Sequence, residues 1–403
     1  MISITPYLQQ DKLGEYQDKL VELYMADAAL NQTIPDSIRG STEWLLRQVN
    51  CFYSNKIEGN PTHPKELLKT QEGGNSDKEN NFTGAILELL VHLEAQLKAK
   101  NSSTSLAEVC KQDFIKELHK SFYEHLPEKH LIVKDIEGRD AVDAKGKPIL
   151  IQPGEYRSLS VKVGSHEPPD AKEIASYMSW LEQMFNPERI HGTNRIIAAA
   201  ALHHRLAWIH PFQDGNGRVI RLLSDCYMRC AGFGGYGLWS ITRGFGRDTT
   251  SYYAALAEAD KPRQGNEDGR GILSDGGLLH FTKYFIDTAL DQVSYFSDLL
   301  EPRKLGIRVD YYFEMRAKGG LPDENGKELP LLKITARDIY RLLLEKGAMS
   351  RSAICQHLDK GEQTLRPIIK QMDSEGLISA KPKKDVELKV STNSVEFLFP
   401  QIW

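Results

Sequence analysis

Apolar positions recur at helical spacing along most of this chain, and polar, glycine-rich stretches separate them. The clearest breaks are Gly73–Asn81, Lys98–Ser105, Glu137–Lys147, Arg263–Gly277 and Lys318–Pro330. They predict an N-terminal helical region over 1–100, a larger helical middle over 101–317 and a small unit over 331–403. No internal repeat is visible. In the first region Thr42–Ile57 carries Leu45, Leu46, Val49, Phe52, Tyr53 and Ile57 on one helical face. In the middle, Ile196–Ile209 is a strong helical run that should stop at His210, because a residue before proline is biased out of the helical region. Val219, Ile220, Leu222, Leu223, Cys226 and Tyr227 mark a second amphipathic helix, with Asn216–Arg218 in its first turn. Gly154–Gly164 (GEYRSLSVKVG) is short, rich in β-branched residues and bounded by glycine, which predicts a hairpin.

Residues 331–403 follow a different grammar. Ile334–Lys346 presents Ile339, Leu342 and Leu343 on one face, Ser350 is placed to cap a short helix through Leu358, and Gln363–Glu375 makes a third before Gly376. Two β-prone runs follow, Val386–Val390 and Val395–Phe399. Three helices and a hairpin resemble a winged helix-turn-helix module, whose nucleic-acid use puts a helix in a groove. Its 12 basic and 9 acidic side chains sum to only +3. Lys381, Lys383 and Lys384 cluster at the wing, whereas Glu362 would repel a phosphate at the start of the third helix. DNA contact, protein contact and a purely architectural role all stay open.

The whole chain of 403 residues carries 51 basic and 55 acidic side chains, a formal charge of −4, so any polyanion site must be local. The first residues show no basic leader with an apolar core, and no run reaches the ~18 apolar residues of a membrane span. The expectation is a soluble, cytoplasmic protein. Five cysteines without a CxxC pair argue against a disulfide framework or a zinc site, and Cys226 and Cys230, four apart on an apolar helix, read as small buried hydrophobes.

Candidate chemistry concentrates in His210-Pro211-Phe212-Gln213-Asp214-Gly215-Asn216-Gly217-Arg218-Val219-Ile220-Arg221. His210 sits at a rigid helix end. Gly215 and Gly217 let the backbone approach a ligand, and the unpaired N–H groups of the next helix start make an anion nest. Arg218 and Arg221, three apart, add two positive forks suited to phosphate oxygens. A histidine base, an acidic side chain able to hold magnesium and a phosphate cradle within twelve positions point to phosphoryl or nucleotidyl transfer.

The string matches the Fic family motif, HPFx(D/E)GNGRxxR, at every position, and the chain resembles that family over roughly residues 40–290. The resemblance implies a mainly α fold: a Fic-type helical core with a small β-hairpin flap, here followed by the winged helix-turn-helix domain. It implies transfer of AMP from ATP to a Ser, Thr or Tyr hydroxyl of a protein, which can be the enzyme itself. His210 would be the base, Asp214 would hold Mg on the phosphates, Gly215, Asn216 and Gly217 would cradle them, and Arg218 and Arg221 would grip them. Phe212 would anchor the loop from beneath. The asparagine-glycine-arginine stretch separates the chain from the Doc-type branch, which transfers phosphate.

By the same resemblance the flap runs through Val161, Lys162, Val163 and Gly164 into Ser165-His166-Glu167-Pro168-Pro169, and would pair with the target's main chain. Tyr252 and Tyr253, with Asp260, would border adenine, with core packing as the competing reading for the tyrosines. Ser54-Asn55-Lys56-Ile57-Glu58-Gly59 resembles the inhibitory motif (S/T)xxxE(G/N), in which Glu58 would take Arg221 away from the γ-phosphate. The same glutamate could instead position water for AMP removal. The rival from another class is a winged-helix DNA-binding regulator whose Fic core senses nucleotide. Neither a homodimer nor DNA contact through residues 331–403 is decided by these residues.

Overall fold

The computed structural model describes residues 2–34, 36–60, 90, 93–94, 96, 107–134, 139–143, 145–164, 166–323 and 326–403. The breaks read at Gly73–Asn81 and Lys98–Ser105 lie outside these residues, as does Ser165. In chain order the helices used below are α1 (Tyr16–Thr33), α2 (Asp36–Ile57), α3 (Gln112–Tyr123), α4 (Ile174–Met184), α5 (Asn194–Ile209), α6 (Asn216–Cys230), α7 (Ile241–Arg247), α8 (Thr249–Ala259), α9 (Asp275–Leu300) and α10 (Pro302–Lys318). They are followed by α11 (Thr335–Lys346), α12 (Arg351–Leu358), α13 (Glu362–Ser374), strands β1 (Ile378–Ser379) and β2 (Glu387–Leu388), and α14 (Val395–Leu398). The described residues fall into two compact units, one drawn from 1–28, 50–63 and 77–293, the other from 29–49 and 294–403.

The first unit is organised around α5. Nearly every residue from Ile196 to Ile209 is buried, so this helix lacks a solvent face and runs through the core. Four consecutive alanines, Ala198–Ala201, keep it thin enough for close packing, chiefly against α6 and also against α4. Helix α3 packs on α6 and buries Ile115, Leu118, Phe122 and Tyr123. The C-terminal end of α5 and the N-terminal end of α6 are thereby fixed six residues apart.

The predicted hairpin over Gly154–Gly164 is not formed. Among the described residues its one bridge pairs Val163 with His166, and Ser158–Ser160 and Lys162–Gly164 are exposed. A lone two-stranded ribbon is marginal in water, and the Arg157 N–H here turns instead to Pro211 O at 2.8 Å. Antiparallel bridging lies earlier, at Ile132–Leu150, Lys134–Asp140 and Val142–Pro148, around the stretch read as the Glu137–Lys147 break.

In the second unit α11, α12 and α13 pack together with β1 and β2 and bury Ile339, Leu343, Ile354, Leu365, Ile368 and Met372. Ser350 Oγ accepts from Ala353 N at 3.2 Å, the cap expected for α12. The strand in Val386–Val390 narrows to Glu387–Leu388, and its partner is Ile378–Ser379, with Ile378 opposite Leu388. Val395–Phe399 is not a strand. Ser391 and Ser394 exchange hydrogen bonds at 3.0–3.2 Å that start a helical turn, and Val395, Leu398 and Phe399 then bury one helical face. Cys226 is buried as read from its helix, whereas Cys230 keeps partial exposure.

Candidate active site

Helix α5 ends in a left-handed turn at His210, with φ 51° and ψ 60°, an uncommon conformation for a residue with a side chain. The His210 N–H still reaches Leu206 O at 3.0 Å. The turn is held from across the fold. Arg157 Nε donates to His210 O at 2.8 Å, while the Arg157 main chain pairs with the Pro211 carbonyl. His210 Nδ1 lies 3.3 Å from Ala207 O; a carbonyl only accepts, so Nδ1 carries the proton and the Nε2 lone pair is free. Burial pushes the His210 pKa down to about 4, so the ring is a neutral base at physiological pH.

The five residues after His210 form a loop stitched by Asn216. Its Oδ1 accepts from Phe212 N at 2.9 Å and its Nδ2 donates to Phe212 O at 2.8 Å. The fully buried Phe212 ring stacks on His119 with centroids 4.0 Å apart. His119 Nδ1 accepts from Gly154 N at 2.9 Å, which leaves Nε2–H to donate to Asp214 O at 3.3 Å. Gly215, at φ 74°, then opens α6, and a Cβ there would strike the Tyr123 hydroxyl. Tyr123 OH donates to Asp214 Oδ2 at 2.6 Å, and Arg218 Nη2 donates to Tyr123 OH at 2.8 Å and to Asp214 Oδ2 at 3.3 Å. The Asp214 side chain is 57% exposed.

Among the described residues no three His, Cys, Asp or Glu side chains gather into a metal-binding group. A single open carboxylate beside a helix N-terminus nevertheless suits magnesium, which keeps several waters and binds through one or two carboxylates plus substrate phosphates. Asp214 is a donor of that kind.

Opposite the loop, the last turn of α2 closes over the start of α6. Arg221 Nε donates to Ser54 Oγ at 2.9 Å, and Nη2 donates to Ser54 O at 3.0 Å and to Glu58 Oε1 at 2.5 Å. Glu58 Oε1 also stands so close over Gly217 that a Cβ at that position would collide with it. An anion therefore already sits on the helix N-terminus. Burial works against the Arg221 charge, yet the Glu58 carboxylate keeps its pKa above the ordinary value. Arg221 is almost fully buried, whereas Glu58 is 37% exposed.

The remaining candidates separate. Tyr252 is buried and donates to His203 Nε2 at 2.8 Å, because Nδ1–H of that ring is spent on Ser224 Oγ at 2.8 Å. With Phe245 stacked on it at 4.7 Å, Tyr252 is a core residue. Tyr253 is half exposed and donates to Ile57 O at 3.1 Å, next to Glu58. Asp260 accepts from His204 Nε2 at 2.9 Å. Val161 is partly exposed, and Lys162, Val163 and Gly164 are exposed. Sequence reasoning missed Arg157, His119 and Tyr123. Arg157 lay in view inside the GEYR run, while nothing local marks His119 or Tyr123, whose parts arise only from the packing of α3 on α6.

Residues 110–228 match the Fic/DOC family model. The chain is 30% identical over 227 residues to the protein adenylyltransferase Fic of Drosophila grimshawi and 29% identical over 245 residues to that of Culex quinquefasciatus. These matches cover 55% and 57% of this chain and 39% and 40% of the relatives, so the chain spans about two-fifths of their length. Among solved structures, a Fic family protein from Desulfovibrio desulfuricans G20 aligns over 96% of this chain and 98% of its own, with a TM-score of 0.52 at 16% identity. A single-residue variant of Fic-1 from C. elegans aligns over 70% of this chain and 72% of its own, with a TM-score of 0.50 at 17% identity. At such identities the likeness is one of fold. With the complete His210–Arg221 string inside the matched residues, the chain carries a Fic/DOC family domain.

Proposed function

We propose that this protein is an adenylyltransferase that moves AMP from ATP to a hydroxyl side chain of a protein and is restrained by its own Glu58. The observation that carries the reading is a neutral histidine with a free Nε2 fixed beside a glycine-opened helix start lined by Arg218 and Arg221. His210 Nε2 would take the proton of the attacking hydroxyl while that oxygen bonds to the α-phosphorus. The bond from the α-phosphorus to the bridging oxygen breaks, and pyrophosphate leaves with the electron pair. The N–H groups at Asn216 and Gly217 and the two arginines would hold the phosphates. Asp214 would hold Mg²⁺, which when bound neutralises phosphate charge.

At rest these groups satisfy one another. Arg218 leans on Asp214 through Tyr123, and Arg221 is held by Ser54 and Glu58. ATP must displace the Glu58 carboxylate from a place it occupies at the effective mM concentration of a tethered partner. Incubation with labelled ATP and magnesium tests the reading: label should enter this protein or one in lysate with wild type and stay at background with His210→Ala. Label entering equally with His210→Ala would reject it.

For residues 331–403 we propose a winged helix-turn-helix that contacts DNA phosphates. Its support is the exposure of Arg366 and Lys370 on α13 and of Lys381, Lys383 and Lys384 in the turn after β1. Binding of a labelled duplex should weaken with salt and with the triple change of Lys381, Lys383 and Lys384 to glutamine. Salt-independent binding, or none, would exclude it.

A further inference from the structure

The segment from Gly154 to Pro169 has little structure of its own, yet its strongest attachments converge on the carbonyls around His210. Arg157 is 4% exposed. Among the described residues no carboxylate pairs with its guanidinium, which is bonded to main-chain oxygens alone: Nε to His210 O at 2.8 Å, Nη1 to Leu159 O at 3.1 Å and Nη2 to Pro169 O at 2.5 Å. A buried cation is costly; the Asp170 carboxylate favours its charge without forming a salt bridge, and three well-placed carbonyls take up its donors. Its own N–H completes the set at Pro211 O. A few residues on, His166 Nε2 donates to Trp208 O at 2.8 Å, still within the last turn of α5. One arginine therefore bonds Leu159 and Pro169, on either side of the exposed Lys162–Gly164, and the left-handed turn that aims the imidazole.

We propose that Arg157 is a positioning residue: it holds the strained His210 turn and couples that turn to Leu159 and Pro169, so that the base and the segment bearing exposed Lys162–Gly164 keep one geometry. This rests on the proposed transfer reaction. A residue that only stabilises the fold would lower melting temperature and activity together. A residue that aims the base should lower kcat and leave ATP binding alone, because it touches neither Asp214, nor the α6 start, nor Arg221.

The test uses the full chain with Arg157→Met, which fills the volume without the donors, and Arg157→Lys, which keeps a cation and one donor, beside His210→Ala. For Arg157→Met, kcat for AMP transfer should fall about 10- to 100-fold, the range for a misplaced reacting group. The KM for ATP should stay within about twofold, kcat should stay low at temperatures where the variant is fully folded even though the orphaned carbonyls lower its melting temperature, and Arg157→Lys should recover part of kcat. An unchanged kcat in folded Arg157→Met, or a rise in ATP KM at constant kcat, would overturn the proposal. If Arg157→Met does not fold, the same split is read on Arg157→Lys.

A second readout separates this inference from the reaction itself. With ¹³C-histidine labelling, the His210 ring signal, identified by its loss in His210→Ala, should be single in wild type and split or broadened in Arg157→Met. An unaltered signal overturns the positioning role even if wild type transfers no AMP. A broadened signal beside a wild type without transfer would sustain the positioning and reject the reaction.

Discussion

The Pro211–Gly215 loop and the Gly154–Pro169 segment meet the same helix end, and they are held there by opposite means. The loop closes on itself. Asn216 bonds both polar atoms of the Phe212 main chain, and the Phe212 ring is stacked beneath, so its shape follows from residues four apart in sequence. The segment has one bridge of its own, Val163–His166, and takes its position from Arg157 and His166 bonded to carbonyls some forty to fifty residues away. The part that, on the proposed function, would present phosphate donors at fixed points is built locally. A part that would receive another protein's chain is tethered at its ends and open between them. The comparison fails if the loop tolerates loss of its internal bonds or if the segment does not.

The largest expected effect is chemical. His210→Ala should lower transfer by at least about 100-fold, the usual worth of a general base, while the affinity for ATP measured by a fluorescent analogue changes little. A parallel loss of affinity would place His210 among the binding groups. Next comes loop closure. Asn216→Ala leaves the N–H and C=O of buried Phe212 without partners and should cost about 1–3 kcal/mol of unfolding free energy in urea. Wild-type stability in that variant would mean the loop is held by packing alone.

A pH effect of intermediate size follows from the same packed region. His119, His204 and His210 have pKa values pushed down to about 4 and His203 is held well below the ordinary histidine value, in each case first by burial. The unfolded chain binds protons near the ordinary histidine value of about 6.5, so stability present at neutral pH is lost as pH falls from there toward 4. Asp225 runs the other way, because burial raises its pKa to about 6 and its proton stabilises the folded state below that value. Four histidines outweigh one carboxyl. The melting temperature should therefore fall between pH 7 and pH 5, and a flat profile would show that these rings are not buried neutral.

The smallest effect belongs to the segment's outer surface. Leu159 and Val163 are 38% and 40% exposed, so Leu159→Ala and Val163→Ala should change unfolding free energy by no more than about 0.5 kcal/mol. A loss several times larger would mean that the open stretch is packed like the loop.

What could be read beforehand follows the same division. The end of α5 at His210 and the start of α6 at Asn216 are encoded by proline, glycine and helical spacing within a few residues, and both stand in the structure. The meeting of Glu58 with Arg221, 163 residues apart, is implied by the resemblance to the inhibitory motif alone, and the structure brings the two together. The hairpin at Gly154–Gly164 and the strand at Val395–Phe399 were β-prone by composition only. The first has no partner strand, and the second is drawn into a helix by Ser391 and Ser394. Tyr252 and Tyr253 are neighbours in sequence but point to different surroundings, one to His203 and one to Ile57 O, which spacing cannot distinguish. Arg157 reaches His210, and His119 and Tyr123 reach Asp214, 53, 95 and 91 residues away, and no local pattern encodes such pairings.

On the proposed function, the Glu58 carboxylate stands where a nucleotide phosphate would go. AMP incorporation from labelled ATP by wild type, Glu58→Gly, His210→Ala and the double variant at equal concentration tests it directly. Glu58→Gly frees Arg221 and should raise incorporation about 10-fold or more, since one hydrogen bond to a charged group is worth roughly 1.5–3 kcal/mol, and adding His210→Ala should return it to background. Equal incorporation by wild type and Glu58→Gly, with both proteins folded and binding ATP, would make the Ser54–Gly59 turn an ordinary helix end.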